Sequence, residues 1–518
     1  MFSPGDHTQP RAGSAFPLTC CILFAAGLCA GFSLSLTWFS AALLPAAGAL
    51  LLQVMGRRHD LARHLLALGC FALGFLGASL CWLGLGLYRP PVNQLSSAAL
   101  LWLAIVGLQL LVYLACYVFI DAPARLIERR SGGRRSLVVQ TLVLATAWSL
   151  AEGLRSIGPL ALPWGLWGYG AIDNPLLGGI YPVGGSLGAA WLQWLLAGLW
   201  LFWVQRLRQV RNGTWRQIRM PALLSLAWLA AAMPLGGIEW TQAADSGLQI
   251  RIVHTHWPAE EKYLPHNQAL AASMLEQAAH SPQADLVVFP ELFLVQHPSA
   301  FPRDWRSRIA QLARESKTGL LFGAPGLARE ERPGEPIAGQ QNTLVLIDET
   351  GLAHSYAKQL LLPFTEYLPS SPWVQWIWPL LYRYPLADMV PGPPVQDPLR
   401  ISGVQLGPMI CSELAAPVLS AGQGAGAGLV VSPASDSWIP SRLYLLQAHN
   451  LARVRAAELQ KPLVRANNVG LSSFIDHRGR VLAAWSGEAG SGSSHMTPRN
   501  GATPYSRLAS TLAAAFNP

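Results

Sequence analysis

The chain has 518 residues, 51% of them hydrophobic and only 13% charged, with 20 tryptophans. That length exceeds one ordinary domain, and the charge content is low for a soluble globular protein. The net charge of +9 suggests a polyanion partner only until the chain is divided. Residues 1–240 carry 16 Arg and no Lys against seven Asp and Glu, whereas residues 241–518 carry 21 basic and 21 acidic residues. The basic excess lies wholly in the hydrophobic half, so nucleic acid is not an expected partner and membrane orientation is the better reading.

A membrane-crossing helix needs about 20 mostly apolar residues. Seven such runs are expected at about 15–32, 36–55, 65–88, 98–121, 136–154, 186–204 and 220–237. The first leads directly into further runs, so it reads as a span and not as a cleaved leader. The loops alternate in charge. Arg11 precedes the first run. Arg57, Arg58 and Arg63 follow the second, Arg125, Arg129, Arg130, Arg134 and Arg135 the fourth, and Arg206, Arg208, Arg211, Arg216 and Arg219 the sixth. The other loops hold only Arg89 and Arg155. Cytoplasmic loops carry the excess of Lys and Arg, so the N-terminus is expected inside. Seven crossings of a bacterial inner membrane then put everything after residue 240 in the periplasm. Residues 155–185 are a Gly- and Pro-rich loop with Trp164, Trp167 and Tyr169, residue types that favour the membrane interface.

From 241 onward the pattern becomes globular. Strands are expected at 248–254, 285–289, 319–323, 343–348, 403–411, 428–434, 462–468 and 470–476, and helices at 265–279, 302–316 and 442–460. Short apolar strands alternating with helices argue an α/β layered domain, whose chemistry gathers where strands end. The expected boundaries are 1–240 for the membrane domain, 241–490 for the α/β domain and 491–518 for a C-terminal tail too short to hold a further span.

Six of the seven cysteines fall in the apolar runs, where Cys behaves as a small hydrophobe. Cys411, in "GPMICSEL", is the only one in the globular half. A lone thiol there is a candidate nucleophile. Glu291 follows the strand "DLVVF", and Lys358 and Glu366 lie in "SYAKQLLLPFTEYLP". A carboxylate can take the thiol proton, the thiolate can attack a carbonyl, and an ammonium can stabilise the oxyanion. Glu413, two residues past the thiol, is a further acidic candidate. The aromatic segment 371–384 holds Trp373, Trp376, Trp378, Tyr382 and Tyr384, a pattern expected of an interfacial arm or lid.

The order Glu291, Lys358, Cys411 resembles the Glu-Lys-Cys triad of the nitrilase (carbon-nitrogen hydrolase) superfamily. Joined to a multi-span first half, the chain resembles the apolipoprotein N-acyltransferase family. "LPWGLWGYG" (162–170), "LLPFTEYLP" (361–369), "SPASDSWIP" (432–440) and "ARVRAAELQKPLVRANNVG" (452–470) are similar to that family's motifs in order and spacing. The resemblance implies a helical transmembrane bundle of about seven spans followed by a nitrilase-like α-β-β-α sandwich. It implies Cys411 as acylated nucleophile, Glu291 as general base and Lys358 as oxyanion stabiliser, with Glu366 and Glu413 supporting. Trp164, Tyr263, Trp373, Trp376 and Trp438 are the substrate or lid candidates. The implied reaction is ping-pong. A phospholipid, typically phosphatidylethanolamine, acylates the thiol, and the amine of a diacylglyceryl lipoprotein takes the chain. No metal or cofactor is implied.

The sequence departs from the family at Ser412, where it has Tyr, at Thr365 for Gly and at Ser435 for Asn. His254, Thr255 and His256 stand where a Gln-Gly-Asn is common. These departures leave open a tethered amidase or an acyltransferase with another acceptor, as in a conjugation-associated paralogue. They also leave open a non-catalytic envelope component.

Overall fold

The computed structural model describes residues 15–56, 60–88, 94–131, 135–158, 161–210, 215–280, 284–328, 339–363, 365–381 and 388–516. Arg11, Arg57, Arg58, Arg89, Arg134, Arg211, Tyr382 and Tyr384, counted above, lie outside that set.

The first half is helical: α1 (Ala15–Ser33), α2 (Thr37–Met55), α3 (Leu61–Ser79), α4 (Cys81–Leu87), α5 (Leu95–Ser131), α6 (Leu137–Leu154), α7 (Tyr181–Val210) and α8 (Arg219–Gly237). Six of these helices are long and apolar enough to cross a membrane, and α1 is a shorter apolar helix. The expected span 65–88 divides in two, because the backbone leaves helical geometry at Leu80 (φ −111°, ψ 12°). Lipid gives apolar helices no hydrophobic reason to associate, so they depend on close van der Waals approach. α1 and α3 achieve it through glycine: a Cβ on Gly27 would lie 2.1 Å from the Phe71 carbonyl oxygen, and one on Gly74 2.2 Å from that of Phe24.

The second half contains two six-stranded sheets. The first is built from β2 (Leu248–His254), β3 (Leu286–Val288), β4 (Gly319–Leu327), β5 (Gln340–Ile347), β6 (Ala353–Ala357) and β13 (Gly490–Met496), in the order β13-β2-β3-β4-β5-β6. The second is built from β7 (Arg400–Ile401), β8 (Val404–Pro408), β9 (Leu429–Val431), β10 (Leu463–Arg465), β11 (Ser472–Ile475) and β12 (Val481–Trp485), in the order β12-β11-β10-β9-β8-β7. Their inner faces share one core, with Ile250, Leu286 and Leu321 from the first sheet and Leu406, Leu429 and Val464 from the second. α9 (Pro265–Ala279) and α10 (Arg303–Ser316) cover the outer face of the first sheet. α12 (Pro417–Ala425) and α13 (Arg442–Leu459) lie against the second. This is the expected α-β-β-α sandwich.

Residues expected as a tail contribute to the fold. β13 pairs along its whole length with β2, short β14 (Arg499–Asn500) pairs with β1 (Gln242–Ala243), and α14 (Pro504–Phe516) packs on α12. The "GSGSSHM" of β13 has little strand propensity of its own. The ladder with β2 supplies its conformation.

The helix layer of the second sheet is also the joint between the halves. Tyr444, Ala448, Leu451 and Ala452 of α13 belong to the same buried cluster as Trp82, Trp164 and Trp167. Polar side chains on α13 bond the other half directly: Gln447 accepts from Trp82 Nε1 (3.1 Å), Asn450 donates to the Leu34 carbonyl (3.2 Å), and Arg453 pairs with Asp173. Arg455 donates to Tyr169 (3.1 Å), and Glu458 accepts from the Ser186 N–H (2.7 Å). The contacted residues lie on α4, in the turn before α2, in the loop before α7 and at the start of α7. The described arginines of the basic loops lie at the far ends of α5 and α7 and at or just before the starts of α3, α6 and α8. The sandwich therefore sits on the end of the bundle opposite its arginine-rich loops.

Candidate active site

Three strand ends converge. Glu291 follows β3 after Phe289 and Pro290. Lys358 is the residue after β6. β8 stops at Pro408, three residues earlier than the apolar pattern predicts, and Cys411 opens a 3-10 turn, Cys411–Ala415. Glu291 and Lys358 thus come from one sheet and the thiol from the other.

Each is held by its backbone. Cys411 has φ +47°, an uncommon left-handed conformation for a residue with a Cβ. Its N–H donates to the Pro433 carbonyl (3.0 Å), so the bend is anchored across to the end of β9. The loop carrying Glu291 passes so close to β4 that a Cβ on Gly323 would lie 2.1 Å from the Leu292 nitrogen. The Lys358 N–H donates to the Asn342 carbonyl (2.8 Å).

The side chains form one buried network. Lys358 Nζ lies 2.9 Å from both carboxylate oxygens of Glu366 and 3.4 Å from Glu291 Oε1. Asn342, on β5, donates to Glu291 Oε1 (2.7 Å) and to Glu366 Oε1 (2.9 Å), bridging the two carboxylates. The Ser435 N–H donates to Glu291 Oε2 (3.0 Å). Because the backbone makes that bond, Ser in place of Asn at 435 leaves it intact. Lys262 Nζ donates to the main-chain carbonyl of Glu291 (3.1 Å).

Electrostatics follow from burial. Desolvation and the neighbouring Glu291 push the Cys411 thiol well above its ordinary range, while Lys358 and Arg465 pull it back. The thiol is therefore protonated at rest and needs a base. Burial works to lower Lys358, but Glu366 and Glu291 overcome it and hold the ammonium charged. Burial pushes Glu413 up to about 7, against the N–H bonds it accepts from Gln359 and Ile410, both 2.7 Å. Glu413 also accepts from Tyr356 OH (2.9 Å). It thereby ties the turn bearing Cys411 to the segment bearing Lys358.

The aromatic candidates divide. Trp164 is buried against Trp82 and Tyr444, with ring centroids 5.3 Å apart in each case, and Trp438 lies 5.9 Å from Tyr444. Tyr263 and Trp376 are exposed, Trp376 on α11 (Pro372–Leu381). The Trp373 side chain lies outside the described residues. A small cleft of about 50 Å³ lies between the first half's Leu162 and Trp164 and the second half's Leu360, Leu362, Pro363 and Ser412. It is apolar, lies between the two halves, and touches the residue next to the thiol. Asn342 and Lys262 were not singled out from sequence. A polar residue inside the apolar strand "NTLVLI" is the one signal that marks Asn342.

The apolipoprotein N-acyltransferase N-terminal domain family matches residues 26–199, and the carbon-nitrogen hydrolase family matches residues 249–492. The chain is similar to apolipoprotein N-acyltransferases over most of its length. An apolipoprotein N-acyltransferase of Azotobacter vinelandii is 29% identical over 85% of this chain and 82% of its own length. One of Nitrosomonas europaea is 28% identical over 85% and 84%. A solved amidase of the nitrilase superfamily from Nesterenkonia AN1 is 22% identical, covering 51% of this chain and 95% of its own, with a TM-score of 0.34. At that score the fold assignment rests on the sheet order and helix layers described above. The six apolar helices and these relatives mark a bacterial membrane protein, and the relatives together with the carbon-nitrogen hydrolase match mark an acyltransferase enzyme.

Proposed function

We propose that this protein acylates the N-terminal amine of diacylglyceryl lipoproteins, using a phospholipid as donor and Cys411 as the acyl carrier. The observation that supports it is the buried Glu291–Lys358–Glu366–Asn342 network beside Cys411, in a sandwich seated on a membrane bundle. Related proteins carry the name apolipoprotein N-acyltransferase.

In the first half-reaction Glu291 takes the Cys411 proton and the sulfur attacks the ester carbonyl of the lipid. The Lys358 ammonium faces the oxyanion that develops, supplying charge in a dry site. The carbon–oxygen ester bond then breaks, Glu291 returns its proton to the departing alkoxide, and a lysolipid leaves a thioester on Cys411. In the second half-reaction the lipoprotein amine attacks the thioester, its proton passes to Glu291, and the carbon–sulfur bond breaks. The amide product leaves and the thiolate recovers the proton.

Phosphatidylethanolamine is the proposed donor. The small apolar cleft beside Ser412 marks where the membrane half meets the thiol-bearing turn. Residues 1–240 anchor the protein in the inner membrane and the rest performs the chemistry at the periplasmic face. The positive-inside rule and the sandwich's position opposite the arginine-rich loops support that orientation. The reaction as written calls on no metal or cofactor.

The test incubates purified protein with phosphatidylethanolamine labelled in its acyl chains. A hydroxylamine-sensitive label is expected on the wild type and none on Cys411→Ala. A labelled alanine variant, or an unlabelled wild type, overturns the reading. Complementation of a strain depleted of its own N-acyltransferase tests the acceptor: a thioester without conversion of diacyl to triacyl lipoprotein means another amine is used.

A further inference from the structure

Lys262 is one of only four lysines in the chain. Its side chain is 5% exposed, though its own turn also carries the exposed Glu260 and Glu261. The backbone is pinned on both sides: the Lys262 N–H donates to the Pro258 carbonyl (3.2 Å), and Gln268 Nε2 donates to the Lys262 carbonyl (2.8 Å). The ammonium is thus aimed inward by a rigid turn. Among the described residues its one hydrogen-bond partner is the Glu291 carbonyl at 3.1 Å. An ammonium has three donors, and burying it with one partner is costly unless nearby charge repays it.

The nearby charges are those of the reaction centre. Both Glu291 and Cys411 act on Lys262 in the direction that keeps it charged, against burial that lowers it to about 8. Lys358 is committed elsewhere, because both oxygens of Glu366 lie 2.9 Å from it while Glu291 lies at 3.4 Å. With Glu366 set against Lys358 and Asp436 paired with Arg465 (2.8 Å), Lys262 is the cation near Glu291 and the sulfur that no other carboxylate claims among the described residues. Proton transfer from Cys411 to Glu291 moves the negative charge from carboxylate to sulfur without changing its amount.

We propose that Lys262 is a second ammonium of the reaction centre, balancing the single negative charge that passes from Glu291 to the Cys411 sulfur. It acts as a positioning residue through Glu291 and as a fixed charge toward the thiolate. This deepens the thioester reading given above and rests on it for the lipid, but not for the reactivity of the thiol.

The charged groups acting on Lys262 are Glu291 after β3 and Cys411 after β8, while Glu260 and Glu261 on its own turn are exposed to solvent. Lys358 and Glu366 are joined to it through Glu291. The test uses the full chain in detergent. Alkylation of Cys411 by iodoacetamide, read by peptide mass, is followed from about pH 6 to about pH 10 in wild type, Lys262→Met, Lys262→Gln and Lys262→Arg. Met and Gln are expected to slow alkylation about tenfold below pH 8, since one pKa unit of the thiol is a factor of ten. Arg is expected to restore most of it. The wild-type, Met and Gln curves should converge as pH rises through about 8, where the wild-type lysine discharges, while the Arg variant keeps its charge. Gln keeps the bond to the Glu291 carbonyl without the charge, so a Gln variant matching wild type overturns the proposal in favour of a structural role. Superimposable pH profiles for wild type and all three variants also overturn it. Should Met not fold, Gln against Arg decides alone. Labelled phosphatidylethanolamine added in parallel separates the two readings. A shifted profile with no lipid thioester sustains Lys262 and removes the lipid, and the converse result does the opposite.

Discussion

The two halves of this protein each bury a carboxylate among aromatic and cationic side chains, and they do so to different ends. In the helical half, Glu152 accepts from Trp148 Nε1 (3.0 Å) and the Trp167 N–H (2.5 Å). Arg155 donates to Tyr113 OH (2.9 Å) and to the Leu162 and Trp164 carbonyls (3.2 and 3.0 Å). Those partners are main chain and ring hydroxyl or N–H groups, and what they fix is the path of the 161–167 loop. In the sandwich, two carboxylates, two ammonium groups and a thiol face one another, and an apolar cleft reaches the residue next to the thiol. Charge bonded to backbone holds a loop. Charge bonded to charge beside a thiol can move a proton.

Substitutions at the two clusters should therefore fail differently. The largest effect is expected at Cys411→Ala, with complete loss of thioester and an unchanged thermal unfolding midpoint. Acyl-enzyme formation on labelled lipid, beside a thermal melt, checks it. Glu291→Gln should cost about 10²–10⁴ in rate, the contribution of a positioned base, again with fold retained. Single-turnover acylation reads it, and a rate within threefold of wild type would remove Glu291 from the proposed role. Arg155→Met should do the reverse. It leaves two loop carbonyls and Tyr113 without their donor, at roughly 1–3 kcal/mol for each buried group left unpaired. Melting in detergent should show a clear drop, while the surviving folded fraction keeps the wild-type pH profile. Glu413→Gln lies between the two classes. An amide nitrogen would face N–H donors of Ile410 or Gln359, so about 1–3 kcal/mol of stability is expected to go. A rate loss accompanies it, because the turn carrying Cys411 is released. The smallest effect is expected at Trp376→Ala. That ring is 72% exposed, so stability should move by no more than about 0.5 kcal/mol. A change confined to KM for lipid vesicles would mark it as an interfacial contact.

Much of the fold was legible because the solvents differ. Lipid and water each demand a pattern, and the apolar runs with alternating arginine loops located the helices of the first half except for the break at Leu80 that separates α3 from α4. Glu291, Lys358 and Cys411 were legible because an ionisable residue just past a buried strand is out of place unless it has a task. Lys262 was hidden by its neighbours. Following Glu260 and Glu261, it reads as part of a solvated run, and only the turn pinned by Pro258 and Gln268 sends it inward. Asn342 lies 51 residues from Glu291 and 24 from Glu366. No local rule relates three positions brought together by strand pairing.

The amino-acid order alone determined the change from apolar helices to an α/β pattern, the succession of the main strands along the chain, and the candidates for nucleophile, base and first cation. Period, apolar length and residue type are local properties that a chain carries before it folds. Tertiary structure decided the rest. It recruited the Gly- and Ser-rich β13 into a sheet, ended β8 three residues before Cys411, and laid α13 across both halves. It also set Lys262 and Asn342 against Glu291. Each of those outcomes depends on pairing and burial between distant segments, where the free energy belongs to the contact and not to either segment by itself.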